Sequence, residues 1–160
     1  LKSTGYNVKC KLMNSKYYDV PQSRKRLIWI GCKKNSPMFP EPLTELKYLN
    51  DVLPDIVEQN RGQFDKIWKT AKTPCYTIIA SRGSGDISAG FTGLLFKTKN
   101  GVTRQPTIQE IKLVSSFPED FIFTGNLNEQ WKRIGNAVMP KFMEHIARTI
   151  KTEMLENNGI

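Results

Sequence analysis

The sequence predicts an α/β chain whose strands come first and whose helices come last. Three observations predict it: two strand-like runs near the N-terminus, a proline-rich break after them, and helical periodicity that returns only beyond a loop-rich middle. Tyr6, Val8, Cys10 and Leu12 alternate with Asn7, Lys9 and Lys11, the period of a strand with one buried face. "RLIWIGC" (26–32) is a continuous apolar run, the pattern of a strand buried on both faces. An antiparallel pair joined by "NSKYYDVPQS" (14–23) follows. "NSPMFPEP" (35–42) holds three prolines in eight residues and reads as a linker and boundary.

Beyond it Leu46, Leu49, Val52 and Leu53 fall at helical spacing and are stopped by Pro54. "CYTIIA" (75–80) reads as a strand, followed by the glycine-bearing loop "SRGSGDISAGFTG" (81–93). "GLLFKTKNGVTRQ" (93–105) reads as a hairpin turning at Asn100-Gly101 in a type I′ turn. Thr107 and Glu110 then have the spacing of a capping box, with Ile108, Ile111 and Val114 on one helix face and Pro118 as the stop. A short helix is expected over Asn128–Ile134, broken by "GNAV". Pro140 suits the first position of a last helix, whose Phe142, Ile146 and Ile150 form a buried stripe.

At 160 residues the chain suffices for one ordinary domain with a usable core. No stretch approaches the roughly 20 apolar residues of a membrane span, and no signal-peptide pattern opens the chain. It begins at Leu1, within what already reads as a strand, and is expected to be a piece of something larger. Cys10, Cys32 and Cys75 are far apart and odd in number, and with the single His145 they make neither a disulfide framework nor a zinc site; no metal is expected. A reducing, cytoplasmic setting is the expectation. Net charge is +9, and its placement says more than its sum: residues 1–34 hold nine Lys/Arg against one Asp. Positive charge so concentrated suits a polyanion such as nucleic acid.

Three blocks stand in order: "VPQSRKRLIWIG" (20–31), "RQPTIQEIKLVSSFPEDF" (104–121) and "IGNAVMPKFMEHIA" (134–147). Together they resemble the last three motifs of the DNA (cytosine-5) methyltransferases. Gln22, Arg24 and Arg26 fit Q-x-R-x-R. Arg104, Thr107, Glu110, Phe117 and Pro118 fit R-x-x-T-x-x-E followed by F-P. Gly135, Asn136, Ala137 and Val138 fit G-N-(A/S)-V. The resemblance covers nearly the whole chain apart from the variable middle. It implies the C-terminal portion of a doubly wound, S-adenosylmethionine-dependent domain, namely its terminal β-hairpin and returning helix, with a small β-rich target-recognition domain inserted. On that reading 1–34 is the end of the catalytic domain, 35–120 the recognition domain with its capping-box helix, and 121–160 the hinge and returning helix.

The family's early motifs, F-x-G-x-G, P-C-Q and E-N-V, do not occur. Pro74-Cys75 is a decoy for the nucleophile, because it follows the arginine motif and Tyr76 replaces the glutamine. The resemblance therefore implies a partner, the missing N-terminal catalytic half in the same chain or a separate subunit, and a chain inactive alone. It implies double-stranded DNA as substrate, a restriction-modification setting, a prokaryotic nucleoid-associated location and only part of an S-adenosylmethionine site.

In such a reaction a thiolate adds to cytosine C6 and charge develops on the ring, so a fixed donor aimed at that charge lowers the barrier. The base must also leave the stack. By the resemblance Arg26 contacts cytosine O2, Arg24 supports backbone or the catalytic loop, and Gln22 positions both, with Arg24 and Lys25 also facing DNA. Asn136, Ala137 and Val138 line the cofactor pocket, although a helix cap at Asn136 fits the spacing equally. Thr107 and Glu110 read as structural. Arg104 reads as structural with an optional phosphate contact. In the glycine loop, which lacks the third glycine of a dinucleotide fingerprint, Arg82 is the candidate for reading guanine and Ser84 lies beside it. A solvated strand end and a plain surface loop are the simpler alternatives for the two basic stretches. A non-catalytic DNA-binding subunit or remnant, and an RNA-methylating relative, stay open as alternative functions.

Overall fold

The computed structural model describes residues 2–62, 66–84 and 92–155. Strands β1 (Asn7–Asn14) and β2 (Lys25–Cys32) pair antiparallel with Asn7 opposite Cys32 and Asn14 opposite Lys25. Lys9 and Lys11 lie opposite Ile30 and Ile28 on one face, where Met13 and Ile30 are buried. That face packs on the last helix. Met13, Tyr18, Val20 and Ile30 form one core with Met139, Phe142, Ile146 and Met154. Four of these come from the final helix region, because the helical stripe read from sequence closes back on the hairpin.

The opposite face of the hairpin carries the cross-strand pairs Val8–Gly31, Cys10–Trp29 and Leu12–Leu27. Leu12 is 63% exposed, Leu27 54% and Trp29 63%. The expectation of burial on both faces of β2 is therefore corrected. Both faces are apolar, but among the described residues only one is covered.

The middle of the chain builds a second, antiparallel sheet. Its order is β4 (Lys69–Thr70), β3 (Ile56–Asn60), β5 (Leu95–Thr98), β6 (Thr103–Arg104). The helix expected around Leu46–Leu53 shrinks to a single turn, α1 (Leu49–Val52), because Tyr48 is extended and caps its start while Pro54 stops it as expected. The hairpin between β5 and β6 forms, but not with a type I′ turn. Only Gly101 takes positive φ (+80°), and the Gly101 N–H donates to Thr98 O while the Thr98 N–H donates to Val102 O. This is a type I turn closed by a glycine bulge, which places the Asn-Gly pair one step later than type I′ would. The sheet shares its core with helices α2 (Ile108–Val114) and α3 (Leu127–Asn136): Leu49, Ile56, Ile78 and Phe96 meet Ile111, Val114, Trp131 and Ile134.

Helix α2 begins with the capping box. Thr107 Oγ1 accepts from the Glu110 N–H, and Glu110 Oε2 accepts from the Thr107 N–H. It stops before Pro118. Ser116 adopts φ +61°, its N–H donates to Leu113 O and the Phe117 N–H donates to Lys112 O, a Schellman closure. Helix α3 starts at the Asn126 cap and runs through Gly135 and Asn136 rather than breaking there, with Ala137 at its C-terminal cap. Helix α4 (Pro140–Thr149) opens with Pro140 in its first turn and continues into a wider turn, Ile150–Leu155.

Candidate functional site

Residues 20–24 run from one core into the other, and the backbone shows how. Val20 is buried in the hairpin core. The next residues line up parallel to the segment at Cys75: the Cys75 N–H donates to Pro21 O at 2.8 Å and the Ser23 N–H to Cys75 O at 2.8 Å. "CYTIIA" is thus extended but forms no strand ladder beyond this bridge, which corrects the strand reading. Four of its other backbone groups, the Tyr76 and Ile78 N–H and the Ile78 and Ile79 carbonyls, are met by side chains instead.

Gln22 is fully buried and supplies one of those bonds. Its Oε1 accepts from the Ile78 N–H at 3.1 Å, its Nε2 donates to Ser115 Oγ at 3.1 Å, and its carbonyl accepts from Ser15 Oγ at 2.7 Å. Thr77 Oγ1 donates to Ser23 O at 2.6 Å. One amide side chain therefore ties the hairpin to the 75–79 segment and to the end of α2.

Arg24 completes the joint. It is only 3% exposed, and its Nη1 and Nη2 donate to Ile78 O and Gly135 O, each at 2.6 Å. Burial, with the Arg26 charge second, lowers its pKa to about 10. The expectation that Arg24 faces DNA beside Arg26 is corrected: its guanidinium is spent on two carbonyls from different elements. The backbone that Arg24 holds belongs to this chain. Gly135 is required at the far end. A Cβ there would lie 2.5 Å from the Ile79 carbonyl, and the neighbouring Trp131 Nε1 donates to that same Ile79 O at 2.9 Å.

Arg26 and Lys25 stay outside this joint, both exposed at the start of β2, with Arg26 Nη1 donating to Lys25 O. Two-residue spacing therefore brings Gln22 and Arg24 together and leaves Arg26 at the rim.

The other flagged arginines are engaged internally. Arg104 makes a fork on Glu110, Nη1 to Oε2 at 2.8 Å and Nη2 to Oε1 at 2.6 Å, and this pairing raises its pKa. Arg82 donates from Nη2 to Gln105 Oε1 at 2.8 Å and lies 5.8 Å from the Trp131 ring centre. Ser84 is exposed and pairs through its backbone with Thr92, while Gly85 and the rest of the loop to Phe91 lie outside the described residues. Asn136 and Val138 are exposed and Ala137 half-buried at the α3–α4 turn. Asn136 and Ala137 line an open depression of about 520 Å³ with Glu129, Lys132 and Arg133. Cys75 is fully buried and burial pushes its thiol up, the opposite of an activated nucleophile.

Sequence reasoning missed Ser115 and Gln59. Gln59 is fully buried, accepts from the Tyr76 N–H at 2.9 Å through Oε1 and donates to Pro74 O at 3.2 Å. Flanked by Glu58 and Asn60, it gave no sequence signal of burial. Among the described residues no three His, Cys, Asp or Glu gather as a metal set, and no helix is long and apolar enough to cross a membrane.

Comparison with known proteins bears on what this joint belongs to. The chain matches the family described as C-5 cytosine-specific DNA methylase over residues 1–82 and 68–152. It is 29% identical to the Type II methyltransferase M1.HphI of Haemophilus parahaemolyticus, with 91% of this chain and 48% of the relative aligned. It is 27% identical to M.MthTI of Methanothermobacter thermautotrophicus (94% and 58%) and 30% identical to M.AplI of Arthrospira platensis (98% and 51%), both also Type II methyltransferases. The chain spans about half the length of these curated relatives. With matches that take in both the Gln22–Arg24 joint and the helices it anchors, the chain belongs to the C-5 cytosine-specific DNA methylase family.

Proposed function

We propose that this chain is the C-terminal part of a DNA (cytosine-5) methyltransferase, which transfers methyl from S-adenosylmethionine to C5 of a flipped cytosine in double-stranded DNA. The observation that carries the reading is the joint at Gln22 and Arg24. It locks a hairpin and a returning helix, the end of a catalytic sheet, to a separate β-rich core suited to target recognition, and leaves Arg26 free at its rim. Residues 1–34 and 121–160 serve the catalytic side and 35–120 the recognition side, although α3 shares the recognition core through Trp131 and Ile134.

Arg26 is the group for cytosine O2, with Gln22 and Arg24 as its rigid mount and Lys25 at the same exposed rim. S-adenosylmethionine supplies an electrophilic methyl group. The depression beside Asn136 and Ala137 is open and one-sided, and it fits one wall for that cofactor: an amide side chain for polar atoms, with Ala137 and Val138 for apolar ones. The remaining walls, the nucleophile and the acid belong to an N-terminal part, whose sheet covers the bare face of the β1–β2 hairpin.

The experiment is methyl incorporation from labelled S-adenosylmethionine into mixed-sequence duplex DNA. This chain alone incorporates nothing. Adding the N-terminal part in trans, or fusing it, restores incorporation at cytosine C5. Incorporation by the pure chain, or none from the assembled pair, overturns the reading.

A further inference from the structure

Two exposed cations of the second sheet converge on one ring: Arg61 Cζ and Lys69 Nζ each lie 4.9 Å from the centre of Tyr76. The two charges are therefore no more than about 10 Å apart, within one Debye length at 0.1 M salt. The ring face offsets part of their mutual repulsion.

The place is built rather than incidental. The Tyr76 N–H is held by Gln59 Oε1 and the Ile78 N–H by Gln22 Oε1, two fully buried glutamines that reach the segment from opposite sides of the joint. Arg61, Lys69 and Tyr76 line a cleft of about 320 Å³ whose floor is Ile78, Leu94 and Trp131, with Ser81 and Thr92 also on its wall. Cations and hydroxyls around a ring, without an unpaired planar fork aimed at one edge, suit phosphate oxygens better than a base edge.

We propose that Arg61 and Lys69, converging on Tyr76, hold a phosphodiester of the DNA backbone in this cleft. The inference rests on the reading of the chain as a DNA methyltransferase part and adds contacts that its motifs do not contain. Tyr76 is a positioning residue, acting through the two cations.

The test is binding of this chain to a fluorescent duplex across a salt series. Arg61→Gln/Lys69→Gln lowers the slope of log affinity against log salt by about one, since the single phosphodiester they share contributes about one. Over a fourfold rise in salt that is about a fourfold smaller loss of affinity. Lys99→Gln/Lys151→Gln, with the same charge change on exposed residues elsewhere, leaves the slope unchanged. Arg61→Lys/Lys69→Arg keeps the wild-type slope and guards against a misfolded glutamine variant. Tyr76→Leu weakens binding several-fold without changing the slope. A wild-type slope in the glutamine pair overturns the inference while DNA binding, and with it the broader reading, stands. A wild-type chain that binds no duplex at all overturns both.

Discussion

A guanidinium carries five N–H donors in one plane, and Arg24 aims its two terminal nitrogens at carbonyls of different elements, Ile78 O and Gly135 O. Hydrogen bonds from a charged donor contribute about 1.5–3 kcal/mol each, against a desolvation cost that burial without an anion makes large. Deleting the group is worse than the net balance suggests, because two buried carbonyls lose their donors. Arg24→Met should lower the unfolding free energy by about 2–5 kcal/mol in urea denaturation. Arg24→Lys should recover little, because one ammonium lacks the fork that spans both. Arg26, at the surface, should behave oppositely. Arg26→Ala should leave stability within about 0.5 kcal/mol. In the assembled enzyme it should lower single-turnover methylation roughly 10²–10³-fold with duplex affinity nearly intact. Equal destabilisation by both substitutions would show that the division of labour is wrong.

Helix α2 shows the same logic over one element. Burial pushes the Glu110 carboxyl up, but the Arg104 fork and the Thr107 N–H outweigh it and hold the group below its ordinary value. A carboxyl depressed in the folded state contributes stability that is present at neutral pH and lost as pH falls through its folded pKa. The thermal midpoint should therefore fall more steeply below the ordinary glutamate range in the wild type than in Glu110→Gln. A parallel pH profile for the two proteins would remove the pair from the stability of α2. This element was legible in the sequence because both bonds of a capping box close within three residues. The hydroxyl that anchors Gln22 was not legible: Ser115 lies 93 positions away, and no spacing rule spans that distance. The turn at Gly101 was half legible, since a glycine with positive φ serves both turn types and only the hydrogen bonds separate them.

Over the whole molecule, two cores meet at one narrow joint rather than merging into one. The Gln22 and Arg24 bonds, with Lys141 N–H to Ser116 Oγ, cross between them, so a disturbance in the second-sheet core reaches the hairpin that carries Arg26 through a few defined contacts. The organisation into strand pair, irregular sheet and returning helix was readable because proline and periodicity mark its boundaries. What the sequence could not show is which apolar face of β2 is bare, since burial depends on what lies across from a strand and the pattern records only what the strand itself presents. Leu12, Leu27 and Trp29 stand together on that face, and covering what is still exposed of them contributes about 1–2 kcal/mol apiece. That is a sizeable share of the attraction needed to hold the proposed N-terminal part in place.

The bare face also gives the chain an optical property. Of its three tryptophans, Trp131 is sealed in the core of the second sheet while Trp29 stands 63% exposed on the hairpin. An indole in water emits to the red of one in an apolar setting, so the isolated chain should show a long-wavelength component that an external quencher such as acrylamide removes first. As the N-terminal part closes over the hairpin, that component should shift to the blue and become shielded, and Trp29→Phe should abolish the change without touching the Trp131 signal. The hairpin would then report its own assembly without an added label, and an emission spectrum that stays constant on mixing would place the contact elsewhere.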